Sequence, residues 1–354
     1  MNFNIILDYL ILSAFVSLAI NYIARNIARR NELLVDLPDK SRKFHKRPTP
    51  LTGGIAIFIS LFISGKIYID VNELNNFIPL FSAMLYIASF FIIIVFLVDD
   101  VKGIKPIYRL ITQSLAAYFI IHSTGIYLEN LGDLFGLGTI YLGVYGIPIT
   151  IFCVVGVMNA FNMIDGINGL CAGSALVMLL FTGFTSGFVY DSMIVLFIGS
   201  MVGFLTFNLR IVGKRRAVFL GDHGSNFIGF TVAWVAIHCS QMESYPINPI
   251  TIVWFVAIPF VDCIGLIISR TLKGKSWASA GRDHIHHKLM QYFSPEGSLL
   301  IILLFSTILG FLGIILENNF KEYISFYGFV LFAISYYLIF YFIYRNKLPD
   351  TTNV

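Results

Sequence analysis

The chain has 354 residues, of which 57% are hydrophobic and only 12% charged, with a formal net charge of +4 and a mean hydropathy of +0.80. A soluble domain carries about 25% charged residues, so a water-soluble fold of this size is excluded for want of charge to cover it. Apolar runs of about 20 residues recur from end to end, the length that crosses a bilayer core as a helix. Barrel strands would instead alternate in polarity over about ten residues. The expected fold is therefore all-α, a polytopic transmembrane bundle formed by residues 1–354 as a single integral membrane domain.

Eleven spans are expected, at 4–24, 52–69, 77–98, 107–124, 143–161, 169–188, 191–209, 223–241, 249–269, 298–316 and 323–344. The first begins as a span and not as a cleavable signal, because Asp8 stands where a basic segment would be needed. Breakers separate the spans: Gly136 and Gly138 in the 125–142 connection, Pro246 and Pro249 before the ninth, Pro295 and Gly297 before the tenth. With this count, 22 of the 24 Lys and Arg fall on one side, and only Lys66 and Lys321 on the other. The positive-inside rule then puts the N-terminus outside and the C-terminus in the cytoplasm. Cys153, Cys171, Cys239 and Cys263 all lie in apolar runs without CxxC spacing and read as small buried residues, not as a disulfide frame or zinc site.

Five constellations on the inner side carry chemistry. Asp99 and Asp100 close the third span, where adjacent carboxylates near hydrocarbon repel each other and a divalent cation or phosphate would offset the cost. Asn159, Asn162, Asp165 and Asn168 recur every third residue, roughly one helix face, with Gly166 and Gly169 allowing close backbone approach to a ligand. Gly221-Asp222-His223-Gly224-Ser225 opens the eighth span, with Asp222 suited to a hard cation such as Mg²⁺. Arg282, His284, His286 and His287 sit together in the last large inner loop and read as donors to a diphosphate. Lys46 and Arg47 precede a Pro- and Gly-punctuated turn, Pro48 to Gly54, which by itself reads as headgroup anchoring. Together these call for a polyanionic substrate, a divalent metal and a lipid-accessible site.

At these residues the chain resembles the polyprenyl-phosphate N-acetylhexosamine-1-phosphate transferase superfamily. It is most similar to the bacterial branch that uses undecaprenyl phosphate and UDP-N-acetylglucosamine. The resemblance runs from about Asp36 to Lys288 through PTPLTGG, VDDVKGIKP, NAFNMIDGINGL, FLGDHGS, AIPFVDCIGLIISR and RDHIHHKL. The muramoyl-pentapeptide branch, with its HHHFE kind of histidine motif, is a poorer match. The superfamily often shows Asp-Gly-x-Asp-Gly where this chain has Asn168 in place of the second carboxylate.

The resemblance implies a reaction of polyprenyl phosphate with a UDP-N-acetylhexosamine to give polyprenyl diphosphate-sugar and UMP, at the cytoplasmic face of the bacterial inner membrane, as the first step of a surface glycan. It implies Mg²⁺, with Mn²⁺ as its substitute, held by Asp222 with Asp99 or Asp100. The other aspartate of that pair would position or deprotonate the lipid phosphate. Asp165 would act with Asn168, Asn159 and Asn162 on metal or nucleotide, and Lys46, Arg282, His284, His286 and His287 would grip the substrate's phosphates. The partners are the two substrates and the bilayer, with a homodimer left open and no nucleic acid. A secondary transporter is the rival class. Its case would rest on Asp262, the clearest carboxylate inside an apolar run, which reads first as a helix–helix polar contact.

Overall fold

The computed structural model describes residues 3–37, 47–71, 80–186, 192–241, 247–274 and 283–345, with side chains from 5 to 339. Its architecture is nearly all-α. In chain order the α-helices are α1 (Phe3–Arg30), α2 (Gly53–Val71), α3 (Leu80–Lys102), α4 (Pro106–Thr124), α5 (Gly146–Ile164), α6 (Leu170–Ser186), α7 (Ser192–Asn208), α8 (Asp222–Gln241), α9 (Pro249–Phe255), α10 (Ala257–Leu272), α11 (Ile285–Leu289), α12 (Pro295–Asn319) and α13 (Glu322–Arg345). In their described residues, all eleven predicted segments coincide with helices. The ninth is not one straight span, because α9 and α10 meet at Val256 with a bend of 86°.

Six of the helices are long and apolar enough to cross a membrane, or seven if the bent pair counts as one. Large apolar side chains face outward: Phe15 is 67% exposed, Leu300 67% and Leu331 66%. Such an exterior would aggregate in water and is stable against lipid tails, which is why the composition carries so little charge. Helix ends follow local chemistry. Pro106 and Pro295 occupy first-turn positions, Ser294 caps α12 by accepting from Gly297 N at 3.1 Å, and Gly125 ends α4 in the left-handed region.

Small residues set the packing where apolar burial alone gives no preference. On α7 a methyl group at Gly199 would lie 1.9 Å from Ser13 Oγ, and one at Gly203 would lie 2.5 Å from the Ala14 carbonyl oxygen. The α1 and α7 backbones therefore approach closely, and Ser17 Oγ donates to the Ser200 carbonyl at 2.6 Å. α8 lies in the centre, packed against α2, α3, α5 and α6, and most of its side chains are buried. The four cysteines are free thiols.

A small piece of sheet frames the site. Strand β1 (Val35–Asp36) pairs antiparallel with β2 (Thr49–Pro50), and Leu51 bridges in parallel to Phe219. Phe219 N donates to Pro50 O at 2.8 Å, Gly53 N to Phe219 O at 3.0 Å and Gly54 N to Leu220 O at 3.1 Å. The Pro48–Gly54 turn is thus a backbone clamp on the segment leading to Asp222. Its glycines are required by contact: a methyl group at Gly54 would lie 2.3 Å from the Gly224 Cα.

Candidate active site

Five aspartates from four separate stretches line one cavity of about 730 Å³, and the first, Asp36, comes from β1. Asp99 and Asp100 come from the end of α3, Asp165 from the turn after α5 and Asp222 from the start of α8. Glu296, Asn168, Asn208, Arg210 and His287 add to its polar lining, and Leu51, Phe219 and Leu299 are among its apolar walls.

Asp99, Asp100, Asp165 and Asp222 each have a distinct environment. Asp99 is buried; its Oδ1 accepts from Ile104 N at 2.6 Å and its Oδ2 pairs with Arg109 Nε at 2.8 Å. Asp100 accepts from the backbone amides of Asp222 (2.9 Å) and His223 (3.2 Å), amides that begin α8 and have no partner inside that helix. It also accepts from His223 Nδ1. Since His223 Nε2 accepts from Ile55 N at 3.3 Å, the hydrogen-bond network assigns the proton to Nδ1. This fully buried imidazole therefore ties α2, α3 and α8 together.

Asp222 keeps an oxygen toward the cavity. Its Oδ1 accepts from Asn162 Nδ2 at 3.2 Å, and its Oδ2 lies 3.6 Å from Arg109 Nη1, with the side chain 42% exposed. Arg109 thus stands between Asp99 and Asp222 as their shared counter-charge. The Asp165 side chain is exposed to the cavity but enclosed by protein on its other sides. That enclosure, with repulsion from Asp222 and Asp100, pushes its pKa up to about 8.

Asn159, Asn162, Asp165 and Asn168 do not continue along one helix face, because α5 ends at Ile164 and the chain turns through Gly169 at φ +83°. Asp165 and Asn168 reach the cavity. Asn159 instead donates to Gln113 Oε1 at 2.9 Å, and Gln113 donates to Asn226 Oδ1 at 2.7 Å. Asn226 in turn donates to the Asp222 carbonyl at 2.8 Å, so this polar chain supports the start of α8 from behind. Asn162 joins it by donating to Ser225 Oγ at 2.9 Å.

The histidines also divide. His287 lines the cavity. His286 is 1% exposed and packs on the Asp165 turn: a methyl group at Gly166 would lie 2.0 Å from its Nε2. Neither of its ring nitrogens has a hydrogen-bond partner among the described residues, and burial lowers its pKa to about 3, so it stays neutral. His284 turns away and bonds Asp262 Oδ2 at 2.9 Å. Lys46 and Arg282 lie outside the described residues.

Residues 82–240 match glycosyl transferase family 4. Over 307 residues the chain is 34% identical to the undecaprenyl-phosphate alpha-N-acetylglucosaminyl 1-phosphate transferase of Yersinia pestis, covering 85% of this chain and 82% of that protein. The protein of the same description from Escherichia coli K12 is 32% identical over 332 residues, covering 92% and 87%. That from Haemophilus influenzae is 32% identical over 317 residues, covering 86% of each chain. The chain belongs to glycosyl transferase family 4.

The family segment, 82–240, contains four of the five cavity aspartates, all but Asp36, together with Arg109, His223 and the Asn159–Gln113–Asn226 support. The donor set suits a hard divalent cation completed by substrate oxygens. Asp165 and Asp222 offer carboxylate oxygens on one cavity, and repulsion between like charges there favours a bound cation. Among the described residues no three His, Cys, Asp or Glu side chains form an all-protein metal cage. Mg²⁺ does not need one, since it is usually held by one or two carboxylates plus phosphates and water. For this family 4 member, sequence reasoning passed over Arg109, counted only as a basic loop residue, and His223, quoted only as part of a motif. Arg109 carried one usable signal: it lies ten residues beyond Asp99, across a Gly-Ile-Lys-Pro turn that folds α4 back on α3.

Proposed function

We propose that the chain transfers a sugar 1-phosphate, N-acetylglucosamine 1-phosphate foremost, from its UDP-sugar to undecaprenyl phosphate, with release of UMP. The observation that carries this reading is the convergence of Asp99, Asp100, Asp165 and Asp222 on one cavity in a chain related over most of its length to transferases of that description. In the same reading all eleven segments span the bilayer, the N-terminus lies outside, and the cavity faces the cytoplasm across the inner membrane. The product primes a surface polysaccharide.

The residues suit the chemistry. The lipid phosphate is mostly dianionic near neutral pH, because its second pKa is about 6. It needs little help from a base, and the barrier to be lowered is its repulsion from the diphosphate it attacks. Asp222 and Asp165 would hold Mg²⁺, which when bound neutralises the diphosphate and the charge growing on the leaving UMP. Arg109 favours the ionised forms of Asp99 and Asp222 and holds the Asp222 oxygen that faces the cavity. Asp100 is committed to the start of α8 and acts by holding Asp222 in place. His287 and Arg210 supply donors on the cavity wall for substrate phosphates.

A transporter would use Asp262 as an intramembrane relay. That carboxylate accepts three hydrogen bonds from within the protein, which favours a fixed structural part. The deciding experiment supplies the purified protein with labelled UDP-N-acetylglucosamine, undecaprenyl phosphate and Mg²⁺. Butanol-extractable label with stoichiometric UMP supports the proposal, as does loss of both in Asp222→Asn with folding intact. Label trapped inside vesicles without UMP refutes it.

A further inference from the structure

Asp262 sits on α10, outside the cavity, yet three buried donors from two other segments converge on its carboxylate. His284 Nδ1 donates to Oδ2 at 2.9 Å, Ile285 N donates to Oδ1 at 3.0 Å, and Tyr336 Oη on α13 donates to Oδ1 at 3.1 Å. Asp262, His284, Ile285 and Tyr336 are each 8% exposed or less. A carboxylate that accepts from an imidazole requires the His284 proton on Nδ1. The Ile285 amide belongs to the first residue of α11, and His284, the residue before it, makes no side-chain cap to that helix. The carboxylate from α10 does what a local Ser or Asp would do elsewhere.

What α11 carries gives this brace its consequence. His286 rests on Gly166, beside Asp165, and His287 reaches the cavity, with the two rings 4.2 Å apart. Five residues cannot hold a helix by themselves, so the position of both histidines depends on what fixes the first turn. At the other end of the brace, α13 is keyed to α10 twice. Tyr337 Oη donates to Val261 O at 2.7 Å, and a methyl group at Gly265 would lie 2.2 Å from the Tyr337 ring.

We propose that Asp262 is a positioning residue of this site: it acts through His284 and Ile285 to hold His287 on the cavity, and Tyr336 makes the last long helix part of the catalytic scaffold. The inference rests on reading the cavity as the transferase site, but the brace has a readout that needs no turnover. In the full-length protein in detergent, Asp262→Ala should speed hydrogen exchange of the 285–289 amides at least about tenfold while α8 amides keep their protection. In turnover, Asp262→Ala should lower kcat/KM at least about tenfold in the wild-type background. In the His287→Ala background it should cost less than about twofold, because the group it positions is already gone.

An equal loss in both backgrounds, or unchanged exchange at 285–289, overturns the proposal. Should Asp262→Ala fail to fold, Tyr336→Phe keeps the ring and removes one of the three bonds. It should show the same pattern at about two- to fivefold, and uniform exchange and activity in that variant would equally overturn the claim. Wild-type protein that releases no UMP would sink the functional reading and leave the exchange test standing.

Discussion

Arg109→Gln is the most informative single substitution, because one side chain neutralises two carboxylates of unlike burial. The Asp99 side chain is fully buried and that of Asp222 is 42% exposed, so the cost of removing Arg109 falls mainly on Asp99. Breaking a buried ion pair by deleting one partner costs about 3–5 kcal/mol. Here the Ile104 amide stays on Oδ1 and Arg109 is itself one third exposed, so about 3 kcal/mol is the better figure. Reversible unfolding in mixed micelles should show that loss for Arg109→Gln. The double variant Asp99→Asn/Arg109→Gln should recover most of it, because the neutral amide can keep the Ile104 bond without a counter-charge. Activity should stay low in both, since Asp222 has lost its cation. If Arg109→Gln is as stable as wild type, or the double variant is no better than the single, the shared counter-charge account is wrong.

Gly166→Ala should cost about 1–3 kcal/mol by overpacking against the His286 ring, which is wedged between His284 and His287. Thermal melts of Gly166→Ala/His286→Ala should return toward wild type if that contact is the cause. In metal-free protein, the raised pKa of Asp165 means that the folded state holds a proton the unfolded chain has already released. Stability should therefore be full below about pH 4, fall as pH rises, and level off above about 8. Asp165→Asn should remove that slope, and Mg²⁺ should raise the melting temperature of wild type more at pH 8 than at pH 6, because it competes with the proton. His223→Phe keeps the bulk but loses the donor to Asp100 and the acceptor for Ile55 N, and should reduce UMP release at least about tenfold.

By itself the sequence determined the helical membrane architecture, since only runs of that length and apolarity satisfy the backbone without water. It also determined which polar stretches interrupt that pattern. Asp99, Asp100, Asp165 and Asp222 were legible because ionised groups beside hydrocarbon demand a reason. The division of labour among them was not legible. Whether a carboxylate faces a cavity, as Asp165 does, or caps another helix, as Asp100 does, depends on which amides lie within about 3 Å, and those come from residues more than a hundred positions away. The same holds for the histidines: local spacing puts His284, His286 and His287 in one group, while α10, the Asp165 turn and the cavity wall draw them to three different partners. The break between α9 and α10 escaped for a related reason, because hydropathy averages over a span and does not register a backbone that turns at Val256 without any loss of apolar character.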